Sequence, residues 1–310
     1  MRTEPIRIGT RGSKLALWQA RQVRSELNKA VPGLAVEIKI IKTQGDLILN
    51  KPLAKIGDKN LFTREIEQAL FCGDIDMAVH SLKDLPTELP DGLILGAVLS
   101  RGERRDVLIS RDGKSLAKMD NRDRIATSSL RRKAQLLHLN PHLNVTDIRG
   151  NVDTRIRKME QGQCDALVMA GAGLIRLGYQ ERITEYLDPL QFLPAVSQGA
   201  VAVEVREDDI HISQLTDAIT HPATWQETMA ERAFLRTLEG GCQVPVGCFF
   251  REENRQFQLT GILSDPEGHK LIRRSAVCLP EEASEQAVAL GLSILKEGGR
   301  AILERIRTAL

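Results

Sequence analysis

The chain has 310 residues, 42% of them hydrophobic and 27% charged, with 43 Lys+Arg against 41 Asp+Glu. That size predicts two or three domains, each able to bury a core, and the near-neutral balance excludes a protein that coats nucleic acid by bulk charge. No apolar run approaches the ~20 residues of a membrane span, the opening MRTEPIRIGTRGS lacks a signal-peptide pattern, and five cysteines without a CxxC pair argue against disulfides and structural zinc. The expectation is a cytoplasmic protein with no metal and no membrane partner.

In chain order, Arg7-Ile-Gly-Thr10 reads as the end of a short strand. Ser13 is placed to cap a helix whose apolar side includes Leu15, Trp18, Val23 and Leu27, which Pro32-Gly33 breaks before a strand at Val36 to Ile41. This β-α-β order predicts a parallel sheet. Residues 43–60, with three lysines, two glycines and a proline, read as a surface lid. Thr63 is expected to cap the helix REIEQALF. Met77 to His80 is a buried strand with Ser81-Leu-Lys-Asp-Leu-Pro86 at its C-terminal end, and Leu93 to Leu99 is another strand.

Composition turns charged at Arg101-Gly-Glu-Arg-Arg105, where the chain is expected to cross into a second α/β unit running from Val107 to about Leu193. Its strands end at Ala126, Ile148 and Ala170, and helices start at Ser128-Ser129, Val152 and Leu174. AVAVEV, Ala200 to Val205, has no domain of its own and is expected to return to the first sheet. After His221-Pro222 a long helix runs to Gly240-Gly241. A strand, the turn Ser264 to Gly268, a strand and one C-terminal helix through Leu290, Leu292, Leu295, Ile302 and Ile306 complete the chain. The reading is two α/β lobes joined by two crossings, with a ligand cleft between them, and a small α+β domain. The assigned boundaries are 1–100 with 198–218, 101–197, and 219–310.

Four constellations carry chemistry. Thr127-Ser-Ser-Leu-Arg-Arg132 opens a helix with hydroxyls, fresh N–H groups and two guanidinium forks, a local anion trap. Read alone it is equally a plain helix cap with exposed arginines. Arg149-Gly-Asn-Val-Asp-Thr-Arg155 repeats the arrangement, Arg176 follows another strand-to-helix turn and Arg11 follows the first strand. Several arginines at strand C-termini predict a ligand bearing many carboxylates. Lys83-Asp84 reads as either a surface ion pair or, facing such arginines, a catalytic acid/base pair. His80 reads as a base or as a hydrogen-bonded core residue. In LEGGCQVPVG, residues 238–247, Cys242 lies after a helix C-terminus, which does not lower a thiol pKa, and no histidine is adjacent in sequence. Beside Gly240-Gly241 it suits a thiol that needs space and becomes permanently modified. Cys248 and Cys278 read as core.

RIGTRGSKLALWQA at 7–20, HSLKDLP at 80–86, ATSSLRRKAQL at 126–136, RGNVDTR at 149–155, LPAVSQGAVAVE at 193–204 and LEGGCQVPVG at 238–247 together resemble the porphobilinogen deaminase (hydroxymethylbilane synthase) family over nearly the whole chain. The resemblance implies two periplasmic-binding-protein-like lobes, the second inserted in the first, and a third domain. It also implies a transferase that joins four porphobilinogens into a linear tetrapyrrole on a dipyrromethane held by thioether to Cys242. Asp84 matches the family's catalytic aspartate. Ser81, Lys83, Thr127, Ser129, Arg131 and Arg132 match cofactor-contacting positions. Arg11, Ser13, Gln19, Arg149, Arg155 and Arg176 match substrate-binding ones, and Lys55, Lys59 and Phe62 fall on or after the lid. The family's usual form is a monomer. Asn60 and Ser197 depart from the family's frequent glycines. The competing readings are a two-lobed protein that binds an anionic ligand without turnover and a DNA-binding regulator.

Overall fold

The computed structural model describes residues 4–47, 63–239, 244–253 and 256–309. They form two compact units. One takes the described residues up to Gly102 together with Gly199–Gln226, and the other takes Glu103–Gln198 and the described residues from Glu227 onward.

The first unit is built on a five-stranded sheet. Its strands are β1 (Ile6–Thr10), β2 (Val36–Ile40), β3 (Met77–Ser81), β4 (Leu93–Val98) and, from much later in the chain, β10 (Val201–Arg206). The order is β2-β1-β3-β10-β4. β2, β1 and β3 are parallel, and β10 runs antiparallel to both neighbours. AVAVEV thus returns to the first sheet, as its lack of a local partner predicts. Helix α1 (Lys14–Ala30) buries Ala16, Ala20, Val23 and Leu27, spaced to make one face, and Ser13 Oγ accepts the Ala16 N–H at 3.2 Å. The short α2 (Gln44–Leu47) follows β2, and α3 (Arg64–Phe71) packs Ile66 and Leu70 on Ile75, Ala78 and Leu93. Thr63 does not cap α3: its own backbone is already helical, at φ −117° and ψ −31°, and its side chain makes no cap bond.

The second unit holds a sheet of the same plan. Its strands are β5 (Asp106–Ser110), β6 (Arg124–Ala126), β7 (Asn144–Thr146), β8 (Ala166–Ala170) and β9 (Glu185–Tyr186), in the order β7-β6-β8-β5-β9. β7, β6 and β8 are parallel and β5 is antiparallel to both of its neighbours. Helices α4 (Leu130–Leu139), α5 (Val152–Glu160) and α6 (Gly171–Arg176) come after β6, β7 and β8 in turn. Helix α7 (Ile210–Asp217) belongs to the first unit and precedes α8 (Pro222–Thr237).

The third sheet is an antiparallel meander of β11 (Val246–Glu253), β12 (Gln256–Ser264) and β13 (Leu271–Cys278). Its core joins Phe234 and Leu238 to Cys248, Phe250, Leu259 and Leu263, so Cys248 and Cys278 are core residues as expected. The single C-terminal helix is corrected to two, α9 (Ala283–Ile294) and α10 (Arg300–Ala309). Gly298, at φ 110°, breaks the run, and Leu292, two positions after the buried Leu290, falls on the opposite side of α9 and is exposed.

Candidate functional site

Because β1, β2 and β3 are parallel, the segments at their C-terminal ends share one sheet edge. Arg11 and Ser13 come after β1, and Ser81 ends β3. Leu82–Asp84 then form a single 3-10 turn, closed by the Leu85 N–H on the Leu82 carbonyl. Leu82 is fully buried and anchors the turn, leaving Lys83 half-buried and Asp84 exposed. Gln19, buried in α1, donates from Nε2 to Ser81 Oγ at 2.7 Å. Within the protein, Ser13 caps α1 and Gln19 supports Ser81.

On the opposite face of β3 the alternation of side chains places His80. It is buried, with Nε2 2.9 Å from Glu204 Oε2 of β10. The core reading of His80 holds. Glu67 of α3 is buried nearby. Burial pushes its carboxyl up, and the neighbouring charge of Glu204 adds to that, while Thr63, His80 and Arg64 pull the other way. Glu204 Oε1 and Glu67 Oε1 are buried without a protein partner.

The second unit repeats the logic on its parallel strands. After β6, Thr127 Oγ1 accepts the Ser129 N–H at 3.3 Å and Ser129 Oγ accepts the Arg132 N–H at 3.4 Å, capping α4. Arg131 and Arg132 turn inward, 5% and 7% exposed, onto Asp106. Arg131 Nη1 reaches Oδ2 at 2.7 Å, and Arg132 reaches Oδ1 from Nε at 3.0 Å and Nη2 at 2.7 Å. Burial alone would raise the Asp106 pKa, but attraction to the two guanidiniums wins and holds the carboxyl well below the usual range. Two cations against one anion leave the cluster with a net positive charge. Gln198 secures it, donating to Arg104 O at 2.8 Å and Asp106 Oδ1 at 3.0 Å.

After β7, Arg149 Nη1 is buried without a protein partner. Arg155 Nε donates to Gly150 O at 2.7 Å, which folds the loop around its own guanidinium. Arg176 ends α6 after β8, half-buried, and burial draws its pKa down to about 10. The C-terminal edge of this sheet thus gathers Thr127, Ser129, Arg131, Arg132, Arg149, Arg155 and Arg176. Such an edge can neutralise several carboxylates, and the unpartnered Arg149 donor has the chemistry of a group meant to meet one.

Sequence reasoning missed Asp106, Glu204, Glu67 and Gln198. The signal was present for the first two, since each is an acid in an otherwise apolar strand, DVLIS and VAVEVR. Cys242, Lys55, Lys59, Phe62 and Asn60 lie outside the described residues. Among the described residues no cluster of three metal-ligating side chains occurs, and no helix is long and apolar enough to cross a membrane.

Residues 6–214 match the family described as "Porphobilinogen deaminase, dipyromethane cofactor binding domain", and residues 225–297 match "Porphobilinogen deaminase, C-terminal domain". The chain is 50% identical over 298 residues to a porphobilinogen deaminase of Syntrophomonas wolfei, covering 96% of this chain and 97% of that protein. It is 45% identical over 304 residues to one of Syntrophobacter fumaroxidans, covering 98% of each. Among solved structures, a TRAP periplasmic solute binding protein from Desulfovibrio salexigens is 10% identical, covers 73% of this chain and 74% of that chain, and has a TM-score of 0.43, a likeness too weak to carry an argument.

Proposed function

The chain belongs to the porphobilinogen deaminase family, and from that premise we propose that it joins four porphobilinogen molecules head to tail, with loss of ammonia, into the linear tetrapyrrole hydroxymethylbilane. The observation that carries the assignment of residues is the shared sheet edge of the second unit, with its net positive Asp106–Arg131–Arg132 cluster and the buried, unpartnered Arg149 Nη1.

The donor set fits a dipyrromethane, whose acetate and propionate groups need guanidinium, hydroxyl or N–H partners once they leave water. Ser81, Lys83, Thr127, Ser129, Arg131 and Arg132 would hold it, and Cys242 would attach it. When bound, it supplies the pyrrole carbon on which the chain grows. Arg11, Arg149, Arg155 and Arg176 take the carboxylates of incoming substrate. Ser13 and Gln19 join them as substrate-binding residues, Ser13 at the start of α1 and Gln19 beside Ser81. Asp84 is exposed at the end of a hydrogen-bonded 3-10 turn, where substrate can reach it. It donates a proton to the departing amine, and its carboxylate then faces the cation left on the substrate's methylene carbon. Lys55, Lys59 and Phe62 complete the proposal as lid residues. The protein acts as a monomer in the cytoplasm.

Intact mass under denaturing conditions tests the attachment. The expected result is an excess equal to two linked pyrroles, absent from Cys242→Ala. Asp84→Ala should keep fold and excess mass but lose turnover by about a hundredfold or more; a near-normal rate would remove Asp84 from the chemistry. Arg149→Ala should stall the product at an intermediate length, visible as discrete added masses. An unmodified wild type that gains no mass from porphobilinogen would favour a binding protein instead.

A further inference from the structure

The helix that carries Arg131 and Arg132 is tied to the sheet that follows Cys242 by two routes, one direct and one through Leu193-Pro194. At its far end, the β12–β13 hairpin tip lies on α4. Gly268 is buried at φ 74°, and a Cβ there would fall 2.3 Å from Ala134 O and 2.8 Å from the His138 N. Both are backbone atoms of α4, so no side chain can move aside to make room. His138 Nδ1 lies 3.0 Å from Gly268 O. The tip is braced by its own hydrogen bonds: Asp265 takes the His269 N–H at 2.9 Å and the Lys270 N–H at 2.8 Å on its two oxygens. Behind it, β12 and β13 pair continuously from Ser264↔Leu271 to Phe257↔Cys278.

The near end is held through a second route. Gln135 of α4 brackets Leu193, donating to its carbonyl at 3.0 Å and accepting its N–H at 2.7 Å. Arg131 also donates to that carbonyl. The next residue, Pro194, accepts the Cys248 N–H of β11 at 3.0 Å. β11 pairs with β12, and β12 leads back to Gly268. The contacts form a closed ring: α4, Leu193-Pro194, β11, β12, the hairpin tip and α4 again. β11 is the strand entered directly after the Cys242 segment.

We propose that this ring is a registration device, in which Gly268, His138 and Gln135 are positioning residues that fix the Arg131–Arg132 end of α4 relative to the strand leading from Cys242. The proposal rests on the reading that Cys242 carries the dipyrromethane. A group tethered at one point and gripped by arginines at another forms quickly only when the two points are already in register, and misplacement by about 1 Å costs on the order of a hundredfold in such steps. The ring fixes α4 to β11, the strand entered after Cys242, before any ligand arrives.

The test is the rate at which full-length apo-protein, expressed without porphobilinogen, gains the mass of two pyrroles when porphobilinogen is added. Gly268→Ala should slow the gain by about tenfold or more and His138→Ala by about threefold to tenfold. His138→Asn keeps a donor where Nδ1 stands and should recover most of the wild-type rate at the same thermal midpoint as His138→Ala, a rescue that general loss of stability does not produce. Wild-type rates in both Gly268→Ala and His138→Ala overturn the registration device while leaving the attachment reading intact. A wild type that gains no mass overturns both.

Discussion

The two five-stranded sheets share a strand plan, and each puts a fully buried carboxylate on its antiparallel strand: Glu204 on β10 and Asp106 on β5. They solve the cost of burying that charge differently. Asp106 is gripped by two arginines and Gln198, and its ionised form is held firmly. Glu204 has one histidine on one oxygen and no protein partner on the other, with Glu67 close enough to oppose its charge. The second unit therefore contains an ionic scaffold bonded on both carboxylate oxygens, whereas the first contains a carboxylate bonded to one histidine on a single oxygen. The lesson is that a repeated topology fixes where a charge is buried but not what it is buried with. The edge proposed to take the carboxylates has the version bonded on both oxygens.

Breaking the scaffold should have the largest effect. Asp106→Asn strands two buried guanidiniums and should cost about 3–5 kcal/mol in denaturant unfolding. The pH dependence follows the sign of the shift: with a folded pKa below the ordinary 3.8, Asp106 contributes stability above that value and loses it as pH falls below. Wild type should therefore destabilise steeply in acid and Asp106→Asn much less. If the variant matches wild type in urea, the pair is not a scaffold.

His80→Ala should cost about 2–3 kcal/mol, less than Asp106→Asn, because a stranded carboxylate can take up a proton while a stranded arginine cannot release one. Equal losses in the two variants would erase the distinction between the sheets. Glu67→Gln should change stability by about 1 kcal/mol or less, in the stabilising direction near pH 7. Its folded pKa lies above the ordinary 4.5, so its favourable contribution is complete below 4.5 and declines as pH rises towards the folded value. Thermal midpoints across that window should flatten in Glu67→Gln; an unchanged slope would place the titration elsewhere.

The smallest effect expected is at Ser197, which sits beside Gln198. It is fully buried at φ 60°, with an unpartnered Oγ, while its N–H donates to Glu231 Oε2 at 2.6 Å. Its backbone lies in a region that disfavours a residue with a Cβ. Ser197→Gly should gain about 0.5–1 kcal/mol. A loss on that substitution would show that the serine supports the scaffold rather than straining it.

Much was legible without coordinates. Apolar runs bounded by turns located most strands, and Ser13 and Ser129 marked helix starts because a hydroxyl at that position satisfies free N–H groups of the first turn. Thr63 satisfied the same pattern and failed, since capping also requires an extended backbone, which the local sequence does not specify. Gly298-Gly299 should have split the last helix, but the apolar spacing on either side concealed the break.

The sequence by itself determined the family, the element order and the edge on which the arginines lie, because motif identity, apolar period and chain direction are all local properties. Only the tertiary structure decided that Arg131 and Arg132 are already paired with Asp106, that His80 answers Glu204 across 124 positions of chain, and that Gly268 must be a glycine. Each depends on atoms brought within a few ångströms by strand pairing and helix docking. Ionic and steric energies fall off over that short distance, so no pattern along the chain records them.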